Sequence, residues 1–301
     1  MGPTASGKTG LAVELLESLP IELISVDSAL VYKGMDIGTA KPDIATLAKA
    51  PHHLIDLIEP TDSYSAAHFR KDALALMADI TSRGKIPLLV GGTMLYFNAL
   101  QGGLSQLPEA NQQVRQRLDE EALAIGWPAM HEKLAQVDSE TAARLKTTDA
   151  QRIQRALEVF ELSGKPMSDL YKETEQTVLP YRLLKLALVP SDRAVLHQRI
   201  ADRFDAMLAQ GFLDEVQRLR KQYPDLSPES PAMRCVGYRQ ALEFLDGKVD
   251  KTEFREKGIA ATRQLAKRQL TWLRGMDDIV EIDCLNPVMN EIALKTINNF
   301  I

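Results

Sequence analysis

Gly2-Pro3-Thr4-Ala5-Ser6-Gly7-Lys8-Thr9 has the spacing G-x-x-x-x-G-K-[ST], the pattern of a phosphate-binding loop. Its glycines let the backbone wrap an anion, so that several N–H groups and the start of a helix point at it. Lys8 supplies a point charge, and the Thr9 hydroxyl suits Mg²⁺. A turn of this kind must open a helix, and residues 8–19 carry the apolar spacing of one. Residues 21–27 (IELISVD) follow as a buried strand that ends in a carboxylate. The loop calls for pyrophosphate or triphosphate and leaves open which molecule carries it.

Outward from the loop, strand and helix alternate. Residues 28–60 are polar and contain Gly and Pro. Residues 65–83 read as a helix with Ser65 as N-cap, residues 86–92 (IPLLVGG) as a second buried strand, and residues 93–100 as a further helix. Short apolar runs between helices indicate a parallel sheet covered on both faces. From 107 to 180 only helices are expected, broken at Gly126-Trp127-Pro128, at 147–149 and at Gly164-Lys165-Pro166. Strand character returns at 181–190 and 279–283. The expected fold is therefore α/β, a P-loop NTPase-like parallel-sheet core with a helical insertion: core 1–106, insertion 107–180, core again 181–301. A P-loop normally joins a buried strand to its helix. Too few residues precede Gly2 for that strand, so it is expected to be missing, to leave 21–27 and 86–90 either with an unpaired gap or closed upon each other, and to belong to a natural chain that begins upstream of Met1.

The 301 residues are 45% apolar and 26% charged, an ordinary globular balance. No apolar run approaches the ~18 residues of a spanning helix, and no secretory signal is visible at the start. Two distant cysteines, Cys235 and Cys284, argue against a disulfide framework or a zinc site and for a reducing cytoplasm. The five histidines show no metal spacing. A net charge of −5 is not that of a non-specific nucleic-acid binder, so any RNA contact needs a local basic surface.

Three further residues bear on chemistry. Asp27 reads either as a carboxylate that orients Mg²⁺ through water, as in nucleotide kinases, or as a base facing a substrate amine. Thr93 stands at the carboxyl end of a parallel strand, where ligands of open α/β sheets collect, yet on the residues alone the N-cap of the next helix is its favoured role. Arg203 lies in an expected helix, residues 191–210, at the border of the apolar stripe Leu196, Ile200, Phe204 and Leu208. It is either a snorkelling side chain or a guanidinium for a phosphate oxygen pair.

Several strings together resemble one family: MGPTASGKT (1–9), ISVDSALVYKGMDIGTAKP (24–42), LLVGGTMLY (88–96), RCVGYR (234–239) and ATRQLAKRQLTWLR (261–274). The chain is similar, over essentially its whole length, to the bacterial tRNA dimethylallyltransferases, also called tRNA isopentenyltransferases. The resemblance implies transfer of a dimethylallyl group from dimethylallyl diphosphate to N6 of the adenosine immediately 3′ of the anticodon, with release of pyrophosphate. It implies that Gly2, Pro3, Thr4, Ala5, Ser6, Gly7, Lys8 and Thr9 hold the diphosphate with Mg²⁺ on Thr9. Asp27 would be the base, Thr93 would lie near the reacting centre, and Arg203 would reach the diphosphate. The insertion would embrace the tRNA anticodon stem-loop.

The same resemblance implies tRNA contacts by Asp27, Ser28, Ala29 and Leu30; by Arg115; by Gln151, Arg152, Ile153, Gln154 and Arg155; by Arg234, Cys235, Val236, Gly237, Tyr238 and Arg239; and by Lys267, Arg268, Gln269, Leu270, Thr271, Trp272, Leu273 and Arg274. Residues 255–274 hold six cations (Arg255, Lys257, Arg263, Lys267, Arg268, Arg274) against the single acid Glu256, a local charge of +5. The insertion, by contrast, has nine Lys or Arg against thirteen Asp or Glu, a net of −4. A cytoplasmic monomer with no membrane partner is expected. Two other classes stay open on the residues alone: a P-loop small-molecule or nucleotide kinase, which would consume ATP, and a tRNA-binding regulator that keeps the loop only structurally.

Overall fold

The computed structural model describes residues 1–103, 107–173 and 179–301. The expected first core limit, 106, and residues 174–178 of the expected helical block lie outside the described residues. Contacts divide the chain into two units, Met1–Leu100 with Pro180–Ile301, and Gln101–Leu179.

In the first unit the phosphate loop runs into α1 (Lys8–Ser18), followed by β1 (Ile21–Val26), α2 (Ile44–Lys49), β2 (His52–His53), α3 (Ala66–Ser82), β3 (Ile86–Gly91) and α4 (Met94–Gly102, which reaches past the unit's limit). Strand β1 lies between β2 and β3, all parallel, and pairs with β3 from Ile21↔Ile86 to Val26↔Gly91. Near-continuous apolar sequence in β1 fits a strand covered on both faces. Leu23, Ile24 and Val26 have no exposed surface. Helix α3 begins at the Ser65 cap, whose hydroxyl accepts from the His68 N–H at 3.1 Å. It buries Phe69, Ala73, Met77 and Ile80, one helical face.

The second unit is helical: α5 (Gln112–Ile125), α6 (Trp127–Val137), α7 (Ser139–Arg144), α8 (Ala150–Ser163) and α9 (Met167–Lys172). Its core gathers Leu118, Met130, Leu134, Ile153, Ala156 and Val159. A break at Asp138 was not expected from Gly or Pro spacing. The Asp138 carboxylate makes it, accepting from the N–H groups of Thr141 (2.9 Å) and Ser168 (3.0 Å). Asp138 thereby caps α7 and binds the start of α9 to it.

The chain then returns to the first unit through β4 (Lys185–Val189), α10 (Arg193–Ala209), α11 (Phe212–Gln222), α12 (Tyr238–Leu245), α13 (Lys251–Arg274), β5 (Ile279–Asp283) and α14 (Met289–Asn298). Strands β4 and β5 form a separate parallel pair. One core cluster joins both sheets to α1 and α14 through Leu11, Leu15, Leu23, Leu188, Ile282 and Ala293.

One expectation is corrected here: the single sheet is two pieces, β2-β1-β3 and β4-β5. Of the two outcomes foreseen for 21–27 and 86–90, a gap or direct closure, the strands take the second and pair with each other. The main chain of Met1 bonds instead to β4, donating to the Leu186 carbonyl at 2.7 Å and accepting from the Leu188 N–H at 2.9 Å. The stretch 28–60 also holds α2 and β2, which its polar composition concealed.

Candidate active site

The carboxyl ends of β1 and β3, the phosphate loop, α10 and α13 enclose a cavity of about 390 Å³. The loop reaches α1 through Gly7, at φ 84, a left-handed conformation that glycine adopts without strain. Lys8 folds back so that its ammonium donates to the Pro3 carbonyl at 2.6 Å. Burial pushes that ammonium down to about 8, against the pull of the Asp27 carboxylate and with the Arg203 cation adding to the fall. The Thr9 hydroxyl belongs to an exposed residue at the cavity edge.

Asp27 follows β1 and faces the same cavity. One carboxylate oxygen accepts from the Ala29 N–H at 2.9 Å. Burial raises its pKa above the usual carboxylate value, opposed by that hydrogen bond and by Lys8 and Arg203. Arg203 comes from α10 and donates to the Thr4 hydroxyl at 3.5 Å, the far limit of a hydrogen bond. Burial lowers its pKa while Asp27 raises it. The guanidinium makes no ion pair among the described residues. Ser6 and Ser25, both lining the cavity, carry buried hydroxyls with no hydrogen-bond partner. A phosphate oxygen or an ion's water shell would satisfy them.

Thr93 directly precedes α4, and its carbonyl accepts from the Tyr96 N–H at 2.9 Å. Its hydroxyl oxygen accepts from the Ser28 N–H at 3.0 Å and its proton faces the Ser28 hydroxyl at 3.3 Å, which ties the turn after β3 to the turn that holds Asp27. The rest of the wall is largely apolar, with Leu30, Ile200, Phe204, Met207, Val236 and Leu265. Cys235 lines it too, its thiol pushed up to about 12 by burial and then by Asp27. Opposite, Gly38, Thr39, Ala40 and Pro42 form a rim. Glu215, only 1% exposed, holds that rim by accepting from the N–H groups of Asp36, Ile37 and Gly38 and from the Tyr238 hydroxyl. Sequence reading missed Ser25, whose one signal is a hydroxyl inside an apolar strand. It also missed Glu215, an acid on the buried side of an amphipathic helix.

The segments expected to touch RNA divide by exposure. Ser28, Arg234 and Arg239 are exposed. On α13, Lys267, Arg268, Thr271, Trp272 and Arg274 are exposed, and four of these, with Gln264, line a shallow depression. Of the six cations in 255–274, Arg255 is bound to Asp205 and Lys257 to Glu243 and Glu253. The open basic face is therefore Arg263, Lys267, Arg268 and Arg274.

The side chains of Ile153, Tyr238, Leu270 and Leu273 are buried in core packing, unlike those of their exposed neighbours. Gln269 is buried as well and bonded to the phosphate loop. In the helical unit Gln151 and Arg152 are exposed. Gln154 donates to the Arg115 carbonyl and to Asp119. Arg115 and Arg155 converge on Glu158, which has no exposed surface: Arg115 bonds both its oxygens at 2.9 and 3.0 Å, and Arg155 bonds it at 2.7 Å. Burial alone would raise the Glu158 pKa, but these bonds and the Asn111 N–H hold it below the usual value. These two arginines thus hold their own unit together.

Comparison with known proteins gives a consistent set. A family model described as IPP transferase matches residues 30–276. The tRNA dimethylallyltransferase of Methylobacillus flagellatus is 64% identical over 301 residues, covering 100% of this chain and 96% of that protein. The protein of the same name from a Janthinobacterium species is 61% identical over 298 residues, covering 99% and 95%. Among solved structures, the tRNA isopentenylpyrophosphate transferase of Bacillus halodurans superposes with a TM-score of 0.70 at 35% identity, over 99% of this chain and 93% of that one. A eukaryotic dimethylallyltransferase acting on tRNA superposes with a TM-score of 0.81 at 28% identity, over 99% of this chain and 77% of that one.

Proposed function

The chain belongs to the IPP transferase family, and from that membership we propose that it transfers a dimethylallyl group from dimethylallyl diphosphate to N6 of the adenosine 3′ of the tRNA anticodon. It is a tRNA-modifying transferase. The observation that carries the donor assignment is the cavity itself, with an anion cradle at one end, an apolar wall, and a carboxylate facing both. A five-carbon allyl chain on a diphosphate needs those two surfaces side by side.

In the reaction the C–O bond of the allyl diphosphate breaks and its electron pair goes to the departing pyrophosphate. The N6 lone pair forms the new C–N bond, and Asp27 accepts the amine proton. Adenine N6 is a poor nucleophile because its lone pair is delocalised, so the electrophile must do most of the activation. Lys8, Arg203 and the loop N–H groups stabilise charge as it gathers on pyrophosphate. The cavity also suits Mg²⁺: the unpartnered Ser6 and Ser25 hydroxyls and exposed Thr9 are oxygen donors, and no three His, Cys, Asp or Glu side chains gather into a protein cage among the described residues. Thr9 would hold the ion, and water and substrate phosphate would supply its other ligands. When bound, it supplies further neutralisation of the leaving group. Cys235, held as a thiol, offers the allyl electrophile no competing thiolate.

The nucleic-acid reading rests on the exposed α13 face. Lys267→Ala and Arg274→Ala are each expected to weaken tRNA binding and to flatten its salt dependence by about one phosphate contact. Donor KM should stay unchanged. Filter binding across a salt series measures this, and an unaltered slope of log K against log salt would place both residues outside the interface.

A pH effect follows from Lys8. Burial holds its pKa near about 8, so the charge that attracts the diphosphate is present below that value and lost above it. The donor kcat/KM, which reports the free enzyme, is expected to fall as pH rises through about 8. A flat profile from pH 7 to pH 10 would remove Lys8 from donor capture.

We take the active form to be a cytoplasmic monomer. No described helix is long and apolar enough to cross a membrane, and both cysteines are unpaired. The function is tested by pyrophosphate release, which should require dimethylallyl diphosphate and unmodified tRNA together and should not occur with ATP in place of the donor. ATP hydrolysis without prenyl transfer would make the protein a kinase-like enzyme instead.

A further inference from the structure

We propose that Gln269 is a positioning residue for the phosphate loop, contributing its side-chain amide to the donor site and nothing to the RNA surface. The proposal rests on reading Gly2–Thr9 as the donor's anion cradle. In sequence Gln269 is indistinguishable from its neighbours Lys267, Arg268, Thr271 and Trp272. On α13 it points the other way: they are exposed, and it is 8% exposed inside the cavity wall.

A buried amide is costly unless both its ends are bonded. Here both are. The Gln269 Oε1 accepts from the Thr4 N–H at 2.8 Å, and its Nε2 donates to the Gly92 carbonyl at 2.9 Å. Only this orientation of the amide pairs a donor with an acceptor at each end. Gly92 is built for the contact, since a Cβ there would lie 2.3 Å from the Gln269 Nε2.

The two partners belong to the two halves of the site. Thr4 is the loop residue whose hydroxyl meets Arg203. Gly92 directly precedes Thr93, which secures Ser28 beside Asp27. A single side chain from α13 therefore joins the donor cradle to the turn that supports the base. The loop needs such a tie. Its internal bonds are few: a long Ser6 N–H to Pro3 carbonyl contact at 3.4 Å, and the Lys8 ammonium on that same carbonyl. Between them Ala5 sits at φ 63, a left-handed conformation unfavourable for a residue with a Cβ. With Thr4 fixed from outside, the remaining N–H groups are already aimed when the diphosphate arrives, and binding does not have to order them.

The test uses the full chain, inorganic pyrophosphate and an unmodified anticodon stem-loop as separate probes. Gln269→Met keeps the side chain's length and removes both hydrogen bonds. Gly92→Ala displaces the amide by crowding its Nε2 while leaving residue 269 itself unchanged; its Cβ would also lie 3.2 Å from the Gly2 carbonyl. Each should raise the pyrophosphate Kd and the donor KM about tenfold, ~1.4 kcal/mol, and leave stem-loop affinity measured without donor within about twofold. The double variant should be no worse than the weaker single one, because both remove the same tie. Unchanged pyrophosphate affinity in both variants overturns the proposal. So does a loss confined to the stem-loop, which would return Gln269 to the RNA surface. A wild-type protein that does not bind pyrophosphate would instead refute the donor reading of the loop itself, and this proposal with it.

Discussion

In the Asp27→Asn variant, prenyl transfer is expected to fall by ~10²–10⁴, the usual worth of a general base. Asparagine keeps the acceptor for the Ala29 N–H and the side chain's volume, so the turn after β1 should hold its shape. What it cannot do is take up the N6 proton. The reason for expecting so large an effect is the environment of the carboxylate. Burial raises its pKa and makes it a stronger base, while Lys8 and Arg203 favour its ionised form. Single-turnover rates with saturating donor isolate the chemical step. Because Asp27 adjoins the exposed Ser28, tRNA affinity must be measured in parallel, and it should stay within a few-fold. A variant that binds tRNA normally and transfers at the wild-type rate would remove Asp27 from the role of base.

Arg203→Ala is expected to act through the diphosphate, raising donor KM, lowering kcat, or both, by a combined ~2–5 kcal/mol. Arg203 is a half-buried cation whose closest recorded partner is the neutral Thr4 hydroxyl at 3.5 Å. Desolvating a guanidinium without a carboxylate partner is unfavourable, and an incoming diphosphate relieves that cost. Removing the side chain should therefore weaken pyrophosphate inhibition in step with donor affinity. A defect seen only in tRNA binding, with normal donor kinetics, would move Arg203 out of the donor site.

Much of this site is local in sequence and so can be read there. The phosphate loop, the strand ending at Asp27, the Ser65 cap and the apolar stripe that carries Arg203 each depend on residues within a turn or two. The features that could not be read depend on partners far along the chain. Strand order is one: the pairing of Ile21 with Ile86 is a tertiary choice that apolar runs do not encode. The Glu158 cluster is another. Nothing in the sequence marks Glu158 as the buried acid on which Arg115 and Arg155 converge. Helix periodicity separates exposed Gln151 and Arg152 from buried Ile153, and exposed Lys267 and Arg268 from buried Gln269, yet a contiguous motif hides that division. The break at Asp138 escaped notice because a buried carboxylate makes it where Gly or Pro would have announced it.

The central claim is tested most directly by mapping the product. The protein is incubated with Mg²⁺, dimethylallyl diphosphate and an unmodified tRNA, and the tRNA is digested and sequenced by mass spectrometry. The expected result is one dimethylallyl unit on the base of the adenosine immediately 3′ of the anticodon, absent when Asp27→Asn replaces the wild-type protein under the same single-turnover conditions. An unmodified tRNA, or a prenyl group on any other nucleotide, would contradict the account.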